Sequence, residues 1–344
     1  MNTATGTDFA LIGHPASFAH FVRLMEATAE AGAGPRLNRH RSAFEQLIDW
    51  MPPYVSRHSI AFSAEGRTIR GRLIICPFLP KSLRTPAAIK RAFDKVVKAC
   101  GMAEALGVRT IALGGFTSIV MRDGSAALTK ATVTTGASLT AALAVEQLEA
   151  ALGARDRSIR SEEITVFGAT GDVGAVATRL LAARGAALCL VARNLSQLER
   201  LRESLAVPQV RIMLADRGAL SCSRAVILAT SAAQPLFGIE EFASGTVLCD
   251  VGYPKTHVAE AADKQSDGRA VFAGGLARFP TSLGLTDYTE LGADDLLFGC
   301  FSEGMLLAAL PAATQPRAIA ASPERANELM TFAQQIGITP GPVG

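Results

Sequence analysis

The sequence predicts an α/β chain in which a doubly wound, parallel-sheet nucleotide module is joined to a second α/β unit. Three observations carry this. Ile164–Arg193 places an apolar run, three glycines, an alanine-rich helical stretch and a second apolar run within about 30 residues. Further short apolar runs follow at Val210–Met213, Ala225–Ala229, Thr246–Val251 and Val271–Ala273. The chain's 344 residues, 49% hydrophobic and 19% charged, exceed one usual domain and suit two with substantial cores.

The first observation is the most specific. In ITVFGATGDVG at 164–174, Gly168, Gly171 and Gly174 stand in GxxGxxG spacing. The glycines serve a tight strand-to-helix turn, close backbone approach to a pyrophosphate, and close helix–sheet packing. The helix that follows offers unpaired N–H groups and a partial positive charge at its start. This is the first βαβ half of a Rossmann-type fold, with Gly168, Ala169, Thr170, Gly171, Asp172, Val173 and Gly174 as the expected cofactor turn. A carboxylate at the end of the second strand would select a ribose 2′-hydroxyl, whereas an arginine accommodates a 2′-phosphate. Here Ala187–Ala192 runs into Arg193-Asn194, with Ser196 and Arg200 beyond and no carboxylate at the tip. That favours NADPH, with Arg193 and Asn194 in its site; a solvated loop arginine is the alternative. The fourth strand, Ala225–Ala229, ends in Thr230-Ser231, at the edge where a doubly wound sheet places its ligand.

The region before residue 155 mixes periods. Phe9–Ile12 reads as a strand before the turn Gly13-His14-Pro15, and a helical stretch begins at Ser17. His58–Ala64 and Thr68–Ile75 read as a hairpin around Glu65-Gly66. Pro86–Leu106 and Ser138–Leu152 are helical, and Arg109–Leu113 is a strand ending at Gly114-Gly115. Near the other end, Ala293–Leu310 reads as one helix and Pro323–Ile336 as the last. The expected domains are a substrate and carrier-binding unit over 1–157, the nucleotide domain over 158–290, and C-terminal helices over 291–344 that pack back on the first unit.

Composition narrows the function classes. No apolar run reaches 18 residues, so no spanning helix is expected, and the start lacks the basic and apolar regions of a signal peptide. Six cysteines are scattered without CxxC or Cys/His spacing, which argues for a reducing cytoplasm and against disulfides or a zinc site. Residues 1–150 carry 17 basic against 11 acidic side chains, a charge of +6, while the remainder carries −3. Lys81–Lys98 is the basic stretch, with Arg91, Lys95 and Lys98 at i, i+4 and i+7. Such a face can steer an acidic partner or simply be solvated. Without aromatic interleaving or a binding motif it does not indicate nucleic acid.

Cys300 is the sharpest chemical candidate. A cysteine beside a nicotinamide can attack a thioester, hold the acyl group, and release an aldehyde after hydride delivery. The alternative is a buried helix cysteine packing as a small hydrophobe. The apolar pattern places Cys300 well inside its helix, away from the terminal dipole. Glu303, three residues on, can orient or deprotonate it, or sit on a polar helix face. Lys255, in Gly-Tyr-Pro-Lys after a strand, can orient a carbonyl or a phosphate, or face solvent. His14 and His20 flank a turn and are candidate acids or structural histidines.

In chain order, LIGHPAS (11–17), ALGGFTSIV (112–120), TTGASLTAALAVEQ (134–147), VFGATGDVG (166–174), VARN (191–194), DVGYPK (250–255) and GCFSEGMLLA (299–308) resemble the long-chain acyl-[acyl-carrier-protein] reductase family best known from cyanobacteria. The resemblance implies NADPH-dependent reduction of a fatty acyl thioester, carried by acyl carrier protein or coenzyme A, to a fatty aldehyde. It implies an acyl-enzyme on the cysteine of the CF[AS]E motif, here Cys300. The chain departs from the family's TTGNxHTA at Ala137 and Leu139, and carries Leu276-Ala277-Arg278-Phe279 where the family has a histidine a few residues on. Two other readings stand beside it: a shikimate-dehydrogenase-like oxidoreductase, suggested by Gly13-His14-Pro15 and Ala229-Thr230-Ser231, and a non-catalytic NADPH-binding sensor or scaffold.

Overall fold

The computed structural model describes residues 6–28, 39–121, 129–205, 207, 209–214, 218–232, 236–255, 257–258, 268–311 and 320–343. They form two compact units. Unit 1 comprises Met1–Gly136, Phe279–Ala320 and Gln335–Gly337; unit 2 comprises Ala137–Arg278, Ala321–Gln334 and Ile338–Gly344. The division falls at Gly136, so the helix Ala137–Gly153, within the expected 1–157 domain, clusters with the nucleotide module.

Unit 1 is built on a five-stranded sheet. β1 (Phe9–Gly13) is its buried centre, flanked by β3 (Arg67–Ile75) and β4 (Thr110–Leu113), both parallel to it. β5 (Thr132–Thr134) extends the parallel side beyond β4, and β2 (Tyr54–Ala64) closes the other edge antiparallel to β3. The hairpin turn is the one the sequence indicates. Glu65 and Gly66 both have positive φ, 49° and 74°, as a two-residue type I′ turn requires. The helix Pro86–Ala105 starts with proline in its first turn, behind Thr85, whose hydroxyl accepts the Ala88 N–H at 3.2 Å.

Unit 2 holds six parallel strands: β6 (Glu163–Phe167), β7 (Ala187–Ala192), β8 (Val210–Leu214), β9 (Ala225–Leu228), β10 (Val247–Asp250) and β11 (Ala270–Ala273). Their order across the sheet is β8-β7-β6-β9-β10-β11. This is the 3-2-1-4-5-6 order of the Rossmann fold, with the strand order reversing between β6 and β9. The helix Ala137–Gly153 is buried over most of its surface, as its largely apolar sequence requires. Its buried amide, Gln147, is satisfied at both ends: the nitrogen donates to Ala273 O at 3.1 Å and the oxygen accepts from Leu276 N at 3.3 Å.

The C-terminal region differs from expectation in two ways. Leu296–Phe298 is a strand, and the helix begins only at Gly299. Apolar periodicity does not separate a short strand from a helical turn. The preceding carbonyls are already committed, Asp295 O accepting from Phe279 N and Asp294 O from Leu283 N, both at 2.8 Å. The helix Gly299–Ala309 then packs on the unit 1 sheet, as anticipated. Pro323–Gln335 instead belongs largely to unit 2, where Ser322 N, just ahead of it, donates to Ser138 Oγ at 3.1 Å. Among the described residues, no helix is long and apolar enough to cross a membrane.

Candidate active site

In unit 2 the glycine turn lies at the carboxyl end of β6, at the switch point. Gly168 has φ +77° and passes so close to the next strand's end that a Cβ would fall 2.3 Å from Ala229 O and 3.4 Å from Thr230 Cγ2. A Cβ on Gly174 would lie 2.2 Å from Gly168 O, so the helix can approach the strand only without a side chain there. Gly171 is different: its φ is −78°, it is the N-cap of the helix Asp172–Ala183, and no side chain caps that helix. The first N–H groups of such a helix have no intrahelical acceptor. Two glycines therefore build the turn while the third leaves the helix start open to an anion, which is the cradle a dinucleotide pyrophosphate needs. Thr230 abuts the turn and Ser231 is exposed beside it in sequence, at the carboxyl end of β9. Arg193 is exposed at the tip of β7. Asn194 has a structural role, since its Oδ1 caps the helix Leu195–Glu203 by accepting from Gln197 N at 3.1 Å.

Lys255 is drawn into the backbone. Its Nζ donates to Asp250 O at 2.9 Å and to Gly274 O at 2.7 Å, tying the end of β10 to the turn after β11. The sequence suggests a carbonyl- or phosphate-orienting amine; the structure shows one committed to two main-chain oxygens.

In unit 1 three strand ends converge on the helix Gly299–Ala309. Ala112 of β4 is so close that a Cβ on Gly304 would lie 2.4 Å from its Cβ. The Phe301 ring covers Gly13 and Gly114, where added Cβ atoms would lie 3.1 and 2.4 Å from it. Gly136, φ +70°, packs on Cys300 itself, with a Cβ position 2.0 Å from the Cys300 Cα. The segments LIGH, LGGF, TTG and GCFSEG are thus one structure: glycines at the carboxyl ends of β1, β4 and β5 receive one helix.

Because that helix begins at Gly299, Cys300 stands in its first turn rather than in its interior. Its N-cap, Phe298, supplies no side-chain cap, and negative charge is favoured at such an end. Five cysteine side chains are described, and all five are free thiols. Cys76, Cys100, Cys189 and Cys249 are buried, and Cys300 is half-buried. Burial pushes the Cys100 thiol up to about 12, and those of Cys76 and Cys249 higher still. Glu303, one turn along and 1% exposed, accepts a hydrogen bond from Thr134 Oγ1. The sequence offers Cys300 and Glu303 as a pair; Thr134, 169 residues away, is a partner that local spacing cannot reveal.

His14 and His20 are held within the packing of unit 1. His14 is stacked on Phe78 at 4.7 Å between centroids, with Nε2 accepting from Phe116 N at 2.9 Å and Nδ1 3.0 Å from Pro15 O. Both ring nitrogens are occupied, and burial lowers its pKa to about 3. His20 Nδ1 accepts from Ala16 N at 3.0 Å, and burial holds its pKa near 4. The basic stripe is also altered. Lys95 turns inward and is 8% exposed; its Nζ donates to Ile48 O at 3.0 Å and to Pro77 O, and burial lowers its pKa to about 8. Arg91 lies over the Trp50 ring at 4.8 Å, which leaves Lys81, Arg84, Lys90 and Lys98 as the exposed cations of that stretch.

Strand order and the switch-point glycine turn define a Rossmann-type nucleotide fold. The chain is 29% identical over 315 residues to the long-chain acyl-[acyl-carrier-protein] reductase of Synechococcus elongatus, covering 87% of this chain and 88% of that protein. That nearly full-length match marks the chain as an oxidoreductase distantly similar to that protein. No protein-family model matches it. Among solved structures, L-tryptophan dehydrogenase from Nostoc punctiforme aligns at 13% identity and TM-score 0.39, covering 98% of this chain and 90% of that one. Shikimate 5-dehydrogenase from Listeria monocytogenes, in complex with shikimate and NAD, aligns at 13% identity and TM-score 0.36, covering 96% and 99%.

Proposed function

We propose that the chain reduces a fatty acyl thioester to the fatty aldehyde with NADPH, through an acyl group carried on Cys300. The observation that carries this is the placement of Cys300: a half-buried thiol at a helix start, one turn from a carboxyl group, while the other described cysteine side chains are buried and inert. The glycine turn and Arg193 would hold the pyrophosphate and 2′-phosphate of NADPH, which supplies a hydride when bound. Cys300 loses its proton to Glu303 and its sulfur bonds to the thioester carbonyl carbon. The carbon–sulfur bond to the carrier breaks, and the carrier thiolate takes a proton as it leaves. N–H groups of the helix's first turn favour the oxyanion formed on the way. After hydride addition to the acyl carbon, the Cys300 sulfur departs, the aldehyde is released, and the thiol regains a proton from Glu303 or solvent.

Acyl carrier protein is the proposed donor, with acyl-CoA as the simpler carrier of the same group. The relative's name supports the first, and the exposed cations of unit 1 suit an acidic partner. Free thiols at all five described cysteines fit a reducing, cytoplasmic setting. Mass spectrometry of protein mixed with an acyl thioester in the absence of NADPH should show the acyl mass on Cys300, discharged as aldehyde when NADPH is added. No adduct on Cys300, with full activity in Cys300→Ala, would overturn the reading.

A further inference from the structure

We propose that Thr134 is a positioning residue for the Cys300–Glu303 pair, acting through the Glu303 carboxyl group. Thr134 is the last residue of β5 and is 1% exposed. Its hydroxyl accepts the Gly136 N–H at 2.9 Å and donates to Glu303 Oε1. A hydroxyl has one hydrogen. With the Gly136 N–H pointing at its oxygen, that hydrogen is committed to Glu303, so one carboxyl oxygen is fixed as an acceptor.

The register of the sheet makes this fixing rigid. Thr134 is paired with Ala112 across β4 and β5. Ala112 meets Gly304, and Thr134 meets Glu303, so two neighbouring sheet residues grip two consecutive helix residues. The same short segment continues to Gly136, which lies against the backbone of Cys300. Thr134, Gly136, Cys300 and Glu303 therefore close a loop in which the hydroxyl sets the carboxyl group and the glycine seats the nucleophile. Residues i and i+3 on a helix are surface neighbours, which brings Glu303 to the cysteine's face. A base serves only within hydrogen-bond reach of the proton it takes, so holding the carboxyl group is a kinetic matter as well as a structural one.

This rests on the reading of Cys300 as the acyl-carrying residue. The test compares Thr134→Val, Thr134→Ser and Glu303→Gln by two measurements: Cys300-specific alkylation by iodoacetamide, followed by mass, and the single-turnover rate of Cys300 acylation by an acyl thioester. Thr134→Val should slow both about tenfold, the loss of one positioning hydrogen bond. Thr134→Ser, which keeps the hydroxyl, should restore them to within about threefold. Glu303→Gln, whose amide oxygen still accepts from Thr134, should cost about a hundredfold in acylation, the scale of a lost general base. Wild-type rates in Thr134→Val, or equal losses in the Ser and Val variants, overturn the proposal. If Thr134→Val does not fold, wild-type rates in Glu303→Gln overturn it instead. Full reductase activity in Cys300→Ala would defeat the functional reading, and the alkylation series would still decide the role of Thr134.

Discussion

The two units use glycine at the carboxyl ends of parallel strands for opposite ends. In unit 2, Gly168 and Gly174 let the chain's own backbone close up, and the helix start beyond Gly171 stays uncapped. In unit 1, Gly13, Gly114 and Gly136 are covered by the protein's own helix, which Gly304 lets down onto Ala112. On the proposed function, one set of glycines makes a cradle for the cofactor and the other seats the Cys300 thiol. At Gly168, Gly174, Gly114 and Gly136 a Cβ would come within 2.4 Å of other protein atoms, whereas at Gly171 the nearest lies at 3.3 Å.

Substitutions at these glycines should separate the two uses, and they carry the largest expected effects. Gly136→Ala combines positive φ with a collision against the Cys300 backbone, and should cost about 2–4 kcal/mol of stability by thermal or denaturant unfolding. Gly174→Ala should cost a similar amount, about 2–4 kcal/mol, because its Cβ would strike Gly168 O. Gly171→Ala should lower the unfolding midpoint far less, since its φ is −78° and Gly168 O, 3.3 Å from the Cβ position, need shift only slightly. It should instead weaken NADPH binding about tenfold or more, measured by fluorescence titration. An unchanged NADPH affinity in Gly171→Ala breaks the distinction between cradle and construction.

Acid should break unit 1, because the two histidines that burial keeps neutral, His14 and His20, lie there. The folded protein holds His14 near 3 and His20 near 4, mainly through burial, whereas the unfolded chain protonates them near 6.5. Between those values the unfolded state binds more protons, so stability is full above about 6.5 and falls as pH drops toward 3. His14→Gln, whose side-chain oxygen can still accept the Phe116 N–H, should unfold with a shallower acid slope than the wild type. An identical slope would show that the acid sensitivity lies elsewhere. The corresponding probe of unit 2 is Arg193→Ala, expected to lower the kcat/KM preference for NADPH over NADH about tenfold, or 1.4 kcal/mol. An unchanged preference would leave Arg193 as a solvated loop residue.

What was legible in the sequence follows the same division. The Rossmann unit could be read because its strands, glycines and helix are consecutive, and Gly168 to Gly174 do their work within seven residues of one another. Cys300 was legible as a residue but not as a position: Leu296–Phe298 continues the apolar pattern of the helix, and only hydrogen bonds from Phe279 and Leu283 show where the helix cannot extend. β5 was missed because three residues, Thr132–Thr134, carry almost no periodic signal. Lys95 reads as part of a basic stripe, and its real partners, Ile48 O and Pro77 O, lie 47 and 18 residues away. The Thr134–Glu303 contact is likewise a product of tertiary packing. Strands and turns built from consecutive residues are readable; contacts assembled from distant segments are not.

The smallest predicted effect concerns what remains of that stripe. Lys81 pairs with Glu45 at 2.8 Å and Lys90 with Asp94 at 3.1 Å, so part of the exposed charge is answered within unit 1. Arg84 and Lys98 are exposed near them in sequence and suit charge reversal without touching the core. If an acidic carrier protein docks on this stretch, Arg84→Glu with Lys98→Glu should raise KM for acyl carrier protein about three- to tenfold at low salt, through the association rate. The increase should shrink as ionic strength rises, because exposed charges are screened beyond about 10 Å at 0.1 M salt. The KM for acyl-CoA, which lacks the protein surface, should change little. Equal changes for the two substrates would place the effect on the reaction site and remove this stretch as the docking surface, since the carrier protein and coenzyme A share only the acyl thioester and the pantetheine arm that presents it to Cys300.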